Sequence, residues 1–226
     1  MTRVNYLKTL ALLAAVALTG GCATQPAPYD YSAFERNSPT SILVLPPVNT
    51  SPDVKASYSV LSQVSLPLAE AGYYVMPVAV VDETFKQNGL MNADEIHMAP
   101  PAKLREIFGA DAALYIEVSR YGSSYKVLTS EVAVEASGKL VDLRSGDLLW
   151  QGSALASSAE NQNNSSGGLV GMLVSAAVNQ IVNSLSDRSY DIAGIASNRL
   201  LTTQRYGGIL TGPRSPLYKQ SQLANR

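Results

Sequence analysis

Ser41-Ile42-Leu43-Val44-Leu45-Pro46-Pro47 is the stretch on which the fold turns. A short unbroken apolar run closed by prolines suits a strand buried on both faces, as in sheets with helices above and below. Downstream, Val60, Leu61, Val64 and Leu68 repeat at helical spacing within Ser57 to Ala71. Pro67 should kink or loosen that helix, and Gly72 is placed to end it. Tyr73 to Val78 is rich in β-formers and reads as a second strand. Val81 to Asn88 reads as a short helix stopped at Gly89. Pro101 to Phe108 is another helix, with Pro101 at its first position, an apolar face of Leu104, Ile107 and Phe108, and Gly109 as its stop. Ala112 to Val118 is then a third buried strand. This alternation predicts parallel neighbours joined by right-handed crossovers.

The pattern changes after Gly122. Tyr125 to Ala136, Lys139 to Leu143 and Leu148 to Ala154 read as strands, with Arg144-Ser145-Gly146-Asp147 as a turn in which Gly146 takes positive φ. Trp150, the only tryptophan, should pack under this hairpin as core. The expected class is therefore α/β: a mixed sheet, parallel in its first half and an antiparallel meander in its second, with helices on the faces. Glu160 to Gly168 is a polar, glycine-ended loop. Gly168 to Leu185 reads as a helix whose first half is apolar nearly all round. It suits core packing, a partner or self-association face, or a membrane-inserting segment too short to span. Asp187 could cap a last helix, Ser189 to Thr203. Tyr206 onward reads as a loop on the domain, with residues 219–226 as a frayed tail.

The amino-terminal end has its own logic. Arg3 and Lys8 precede the apolar run Leu10 to Leu18, then small Thr19, Gly20 and Gly21, then Cys22. That is the layout of a secretory signal peptide over residues 1–21. Ending on cysteine, it resembles the lipobox of bacterial lipoproteins, although Thr19 stands where leucine is usual. Cys22 is the expected lipid acceptor, and several acyl chains there give stable anchoring to a membrane. It is the only cysteine, so the mature chain forms no internal disulfide. Ala23 after the cysteine favours the outer membrane by resemblance to enterobacterial sorting. Residues 22–40, with Pro26, Pro28 and Pro39 among polar residues, read as a flexible tether to a single domain over 41–218. The 18 residues after the cysteine would reach about 60 Å fully extended. Tyr29, Tyr31 and Phe34 are unusual for a linker and suggest docking onto the domain.

Composition excludes several functions. Cleavage removes two of the 17 basic residues and none of the 18 acidic ones. A mildly acidic domain makes nucleic acid an improbable partner. His97 is the only histidine, in a loop-like stretch before Pro100, and no Gly-x-Ser-x-Gly elbow accompanies it. One histidine and a lipid-blocked cysteine do not make a zinc site. Asp82/Glu83 and Asp94/Glu95 are adjacent pairs that do not share a helix face, and so read as solvated or capping groups. Gly167, Gly168 and Gly171 lack the preceding strand and following lysine of a phosphate loop. No catalytic, cofactor or metal residue is expected.

Ala69-Glu70-Ala71-Gly72-Tyr73-Tyr74-Val75-Met76-Pro77-Val78 resembles a signature of a family of bacterial lipoproteins related to a neisserial genome-derived vaccine-candidate antigen. Val81-Asp82-Glu83-Thr84-Phe85, Leu104 to Asp111, and Leu140-Val141-Asp142-Leu143 through Leu149-Trp150 match it in order, across Ser41 to Tyr218. The first strand and the Val-Asp-Leu-Arg-Ser-Gly hairpin are similar to the curli secretion lipoprotein CsgG and the TolB amino-terminal domain. The resemblance implies an envelope role in transport or assembly without catalysis. The expected protein is a membrane-anchored, periplasm-facing interaction component. Its expected partners are envelope proteins, a CsgG-like lipoprotein among them, or further copies of itself. One alternative is a regulator that reaches a peptidoglycan enzyme through the tether. Another is an envelope hydrolase or small-ligand carrier, which would need a pocket around His97 with paired carboxylates.

Overall fold

The structure is a computed structural model that describes residues 29–126, 129–160 and 188–218. Its sheet runs β3-β1-β4-β5-β6, with the short β2 also paired to β4. β1 (Ser41–Val44) lies between β3 (Tyr74–Val75) and β4 (Ala112–Lys126) and is parallel to both. β2 (Val48–Asn49) is also parallel to β4. β4, β5 (Thr129–Asp142) and β6 (Leu148–Ser157) form an antiparallel meander. The expected split between a parallel and an antiparallel half is thus observed. Ile42, Leu43, Val44 and Leu45 are all fully buried. Each such side chain contributes about 1.5–3 kcal/mol over exposure.

Helices cover the two faces unequally. α2 (Ala56–Gln63), α3 (Ser65–Glu70) and α7 (Arg188–Leu201) pack over one face, where Val60, Leu68 and Leu200 join Leu114, Leu140 and Trp150. α4 (Val78–Gln87), α5 (Ala93–His97) and α6 (Pro101–Phe108) cover only the β1–β4 part of the other face, around Leu43, Phe85, Ile96 and Leu104. Glu135, Ser137, Lys139, Gln151 and Ser153, on the rest of that face, stay exposed.

Local chemistry explains where elements begin and end differently from expectation. The helix expected over Ser57 to Ala71 is two helices meeting at Val64. Pro67 has no N–H to give to Gln63, so the ladder breaks there. Tyr73 to Val78 supplies only a two-residue strand, because Pro77 already caps α4 at Val78. β4 does not stop at Val118. A bulge between Val118 and Arg120 shifts the register, which produces the change of pattern read near Gly122. Tyr125 and Lys126 still belong to β4, and the strands expected as Tyr125 to Ala136 and Lys139 to Leu143 are otherwise one strand, β5, over Thr129 to Asp142. Gly138 stays in the ladder opposite Gly152, and a Cβ on it would sit 3.5 Å from Trp150, Leu114 and Leu200. Gly152 makes the slot for the indole, since a Cβ there would lie 2.5 Å from the ring, and Gly138 packs beside it in the ladder rather than forming a turn. Ile107 is exposed, while Leu104 is buried and Phe108 packs on Phe85 at 5.2 Å.

The polypeptide before β1 is not a free tether from Tyr29 onward. α1 (Ser32–Asn37) buries Phe34 in the main core. The Tyr31 hydroxyl donates to the Gly208 carbonyl at 2.5 Å, and the Tyr29 hydroxyl accepts from the Gln151 N–H at 2.9 Å. Of the flexible tether expected over 22–40, Tyr29 onward is docked on the domain, as the aromatic residues suggested, and the part before Tyr29 lies outside the described residues. Residues 202–218 lie on the domain: Trp150 Nε1 donates to Gly207 O at 2.9 Å, Tyr73 Oη to Leu210 O at 2.5 Å, and Gly212 N to Ala71 O at 2.7 Å. Two outward carbonyls of β6 are held as well. Arg205 donates to Ser153 O at 3.1 Å and Arg199 to Leu155 O at 2.8 Å. The loop at 161–168, the apolar helix expected over 168–185, Asp187 and the tail lie outside the described residues.

Two predictions follow from this packing. Gly72 has φ +97°, and a Cβ on it would overlap Ser215 N and lie 2.7 Å from Gly212 O. Gly72→Ala should cost about 2–5 kcal/mol, combining left-handed strain with overpacking, measured by urea denaturation. The carboxylate of Asp111 accepts from Thr40 N at 3.0 Å and Thr40 Oγ1 at 2.6 Å, and lies 3.3 Å from Arg144. Burial pushes its pKa up, but the Thr40 and Ser41 hydrogen bonds and the Arg144 charge outweigh that and bring it to about 2. Its contribution is complete above the unfolded value and is lost as pH falls through about 2. Asp111→Ala should lower stability by about 2 kcal/mol at pH 7, with the gap to the parent narrowing below pH 4.

Candidate functional site

The step where α5 ends over the open half of the sheet forms a cleft of about 380 Å³. Asp94 and His97 of α5 make its wall. Tyr115 and Glu117 of β4, with Ser137 and Lys139 of β5, make its floor. The register sets that floor: Tyr115 faces Lys139 and Glu117 faces Ser137 across adjacent strands, so all four side chains emerge on one face. Asp94 also borders a second crevice of about 340 Å³ beyond Pro46 and Pro47, between α2 and the α4–α5 connection. That crevice lies outside the carboxyl end of β1, where the chain departs to opposite neighbours. Open α/β sheets tend to bind ligands at such a position.

His97 is the last residue of α5 and not part of a loop. Asn92 caps that helix by accepting from the Asp94 N–H at 3.1 Å. His97 Nε2 lies 3.0 Å from the Pro46 carbonyl. A carbonyl only accepts, so Nε2 carries the proton and Nδ1 is the free acceptor. The ring meets Tyr115 edge-on at 5.2 Å. Burial lowers its pKa, against the opposing pull of the Pro46 bond, Asp94 and Glu117. The neutral imidazole therefore dominates near neutral pH. No carboxylate is hydrogen-bonded to the ring among the described residues, so the orienting partner of a serine-type triad is missing there.

The other acids singled out in the sequence do local work. Asp82 pairs with Lys86 at 2.6 Å, and Glu83 accepts from Gln87 at 3.0 Å. Among the described residues no His, Cys, Asp and Glu group could hold a metal ion. Sequence reading missed Tyr115, Glu117 and Lys139. One signal was available: Glu117 interrupts a strand taken as buried on both faces, which marks the face left open.

Cys22 lies outside the described residues. The described residues begin at Tyr29, which lies against the outer edge of β6. Seven peptide steps separate Cys22 from Tyr29, a reach of about 25 Å at most.

Comparison with known proteins agrees with the sequence resemblance. The family model described as Putative lipoprotein GNA1162-like matches residues 29–214. Putative lipoprotein NMB1124/NMB1162 of Neisseria meningitidis serogroup B is 54% identical over 210 residues, covering 92% of this chain and 97% of the relative. The crystal structure of lipoprotein GNA1162 from Neisseria meningitidis matches with TM-score 0.53 and 57% identity, covering 65% of this chain and all of that one. The chain therefore belongs to the GNA1162-like lipoprotein family, which implies a membrane-anchored protein of the bacterial envelope.

Proposed function

We propose that this chain is a non-catalytic interaction component of a cell-envelope transport or assembly complex. Lipid on Cys22 would hold it to the outer membrane, facing the periplasm. The observation that carries this reading is the docking of Tyr29, Tyr31 and Phe34, which holds the folded domain within about 25 Å of the lipidated residue. A domain held this close to the membrane suits partners in or on the same membrane, such as a CsgG-like lipoprotein or a second copy of the chain. The same short reach weighs against a regulator extended toward a peptidoglycan enzyme. The engagement of His97 Nε2 with Pro46 weighs against a hydrolase, whereas the cleft leaves room for ligand binding.

Cys22→Ser should move the protein out of the membrane fraction; an unchanged fraction would mean that something else holds it. Photo-crosslinking of the lipidated protein in cells, followed by identification of its neighbours, should return a constant envelope protein or a dimer of the chain. Consistent recovery as a lone monomer would remove the reading.

A further inference from the structure

We infer that the His97 cleft is a binding site for a zwitterion that joins a primary ammonium to an anionic group, as a phosphoethanolamine headgroup does. The cleft holds opposite charges that do not neutralise each other. Asp94 and Glu117 bear one sign and Lys139 the other, and none of the three makes a side-chain hydrogen bond or ion pair within the described residues. Tyr115 and Glu117 stand opposite Lys139 and Ser137 on adjacent strands, so the charges share one floor. Elsewhere in the fold neighbouring charges close on each other, as Lys86 does on Asp82 at 2.6 Å and Arg199 on Glu160 at 2.7 Å.

The donor and acceptor inventory selects the ligand. An ammonium carries three N–H donors. The wall and floor offer three acceptors for them: the Asp94 carboxylate, the Glu117 carboxylate, and Nδ1 of an imidazole whose Nε2 proton is held by Pro46. The Tyr115 ring adds a face that tolerates a cation. Lys139 and the Ser137 hydroxyl remain as donors for an anionic group. A quaternary ammonium has no N–H and would leave the acceptors unused.

The position points to a lipid as the source. Lys139 is the register partner of Gln151, whose N–H holds Tyr29. The cleft is thus one strand, about 4.8 Å, from the strand at which the anchored chain joins the domain. A soluble zwitterion shares the same chemistry, so the test separates the two sources.

His97 is the only histidine in the chain, so the untagged protein has one histidine Hε1 resonance to follow. Lipidated mature protein in non-ionic detergent is titrated with phosphoethanolamine, ethanolamine or inorganic phosphate. Phosphoethanolamine should shift the His97 resonance saturably, with a dissociation constant on the order of 1 mM. Ethanolamine and phosphate alone should bind at least about tenfold more weakly. Glu117→Gln and Lys139→Ala, both at exposed positions, should each weaken binding at least about fivefold while leaving circular dichroism and the thermal midpoint unchanged. In nanodiscs, a shift with phosphatidylethanolamine and none with phosphatidylcholine identifies the lipid as the source. A shift with soluble phosphoethanolamine and none in either nanodisc supports the cleft and identifies a soluble zwitterion. The inference is overturned if no ligand shifts the resonance saturably, if phosphate alone binds as well as phosphoethanolamine, or if both variants bind like the parent. None of these results bears on partner crosslinking, so the two readings fail separately.

Discussion

The buried indole of Trp150 is the contact on which the rest of the domain depends. It lies against Gly152, where a Cβ would fall 2.5 Å from the ring, and against Leu200 of α7. Its single polar atom donates to the Gly207 carbonyl. An unpartnered indole N–H inside a core is costly, so this bond fixes both the ring and the returning loop. Once Gly207 and Gly208 are fixed, they present the surface on which Tyr29 and Tyr31 settle. The antiparallel meander, the last helix, the carboxyl-terminal loop and the segment leading to the anchor are joined through one side chain.

The parts of the fold legible in the sequence were those with a local cause. The apolar run at 42–45, the proline at 101, and the glycines at 72, 89, 109 and 146 each act through backbone geometry or immediate burial, and each marks the boundary it was read to mark. Elements set by distant contacts were misread. Gly138 carries the ordinary signal of a turn, but its meaning depends on Trp150 twelve residues later. The bulge near Ser119 mimics the end of a strand, because a register shift changes the side-chain period without ending the ladder. α1 was hidden in a proline-spaced segment because Phe34 finds its pocket on parts of the chain far away in sequence.

The candidate site was legible only in fragments, for the same reason. His97 stood out by its rarity and Asp94 by its neighbour. Lys139 and Glu117 become companions only through the register of two strands, which no local pattern encodes. The site is therefore a product of topology: among the described residues, helices cover the parallel half of one face and stop, and the cleft is the edge of that cover. This also explains how a defined concave surface can form with no dedicated pocket-building element. The surface needs only unequal coverage of a sheet.

The outer edge of β6 has a consequence for assembly. Along it the Gln151 N–H is taken by Tyr29, the Ser153 and Leu155 carbonyls by Arg205 and Arg199, and the Ser157 N–H by Glu160. An unprotected edge strand invites a neighbouring chain to extend the sheet, the common route to fibrils. Here side chains occupy one outward backbone group on each of four edge residues, and the opposite edge, β3, is two residues long. Strand-to-strand growth at this edge would have to displace those side chains first. An array built from side-chain surfaces instead can be closed, reversible and specific where sheet extension would be open-ended.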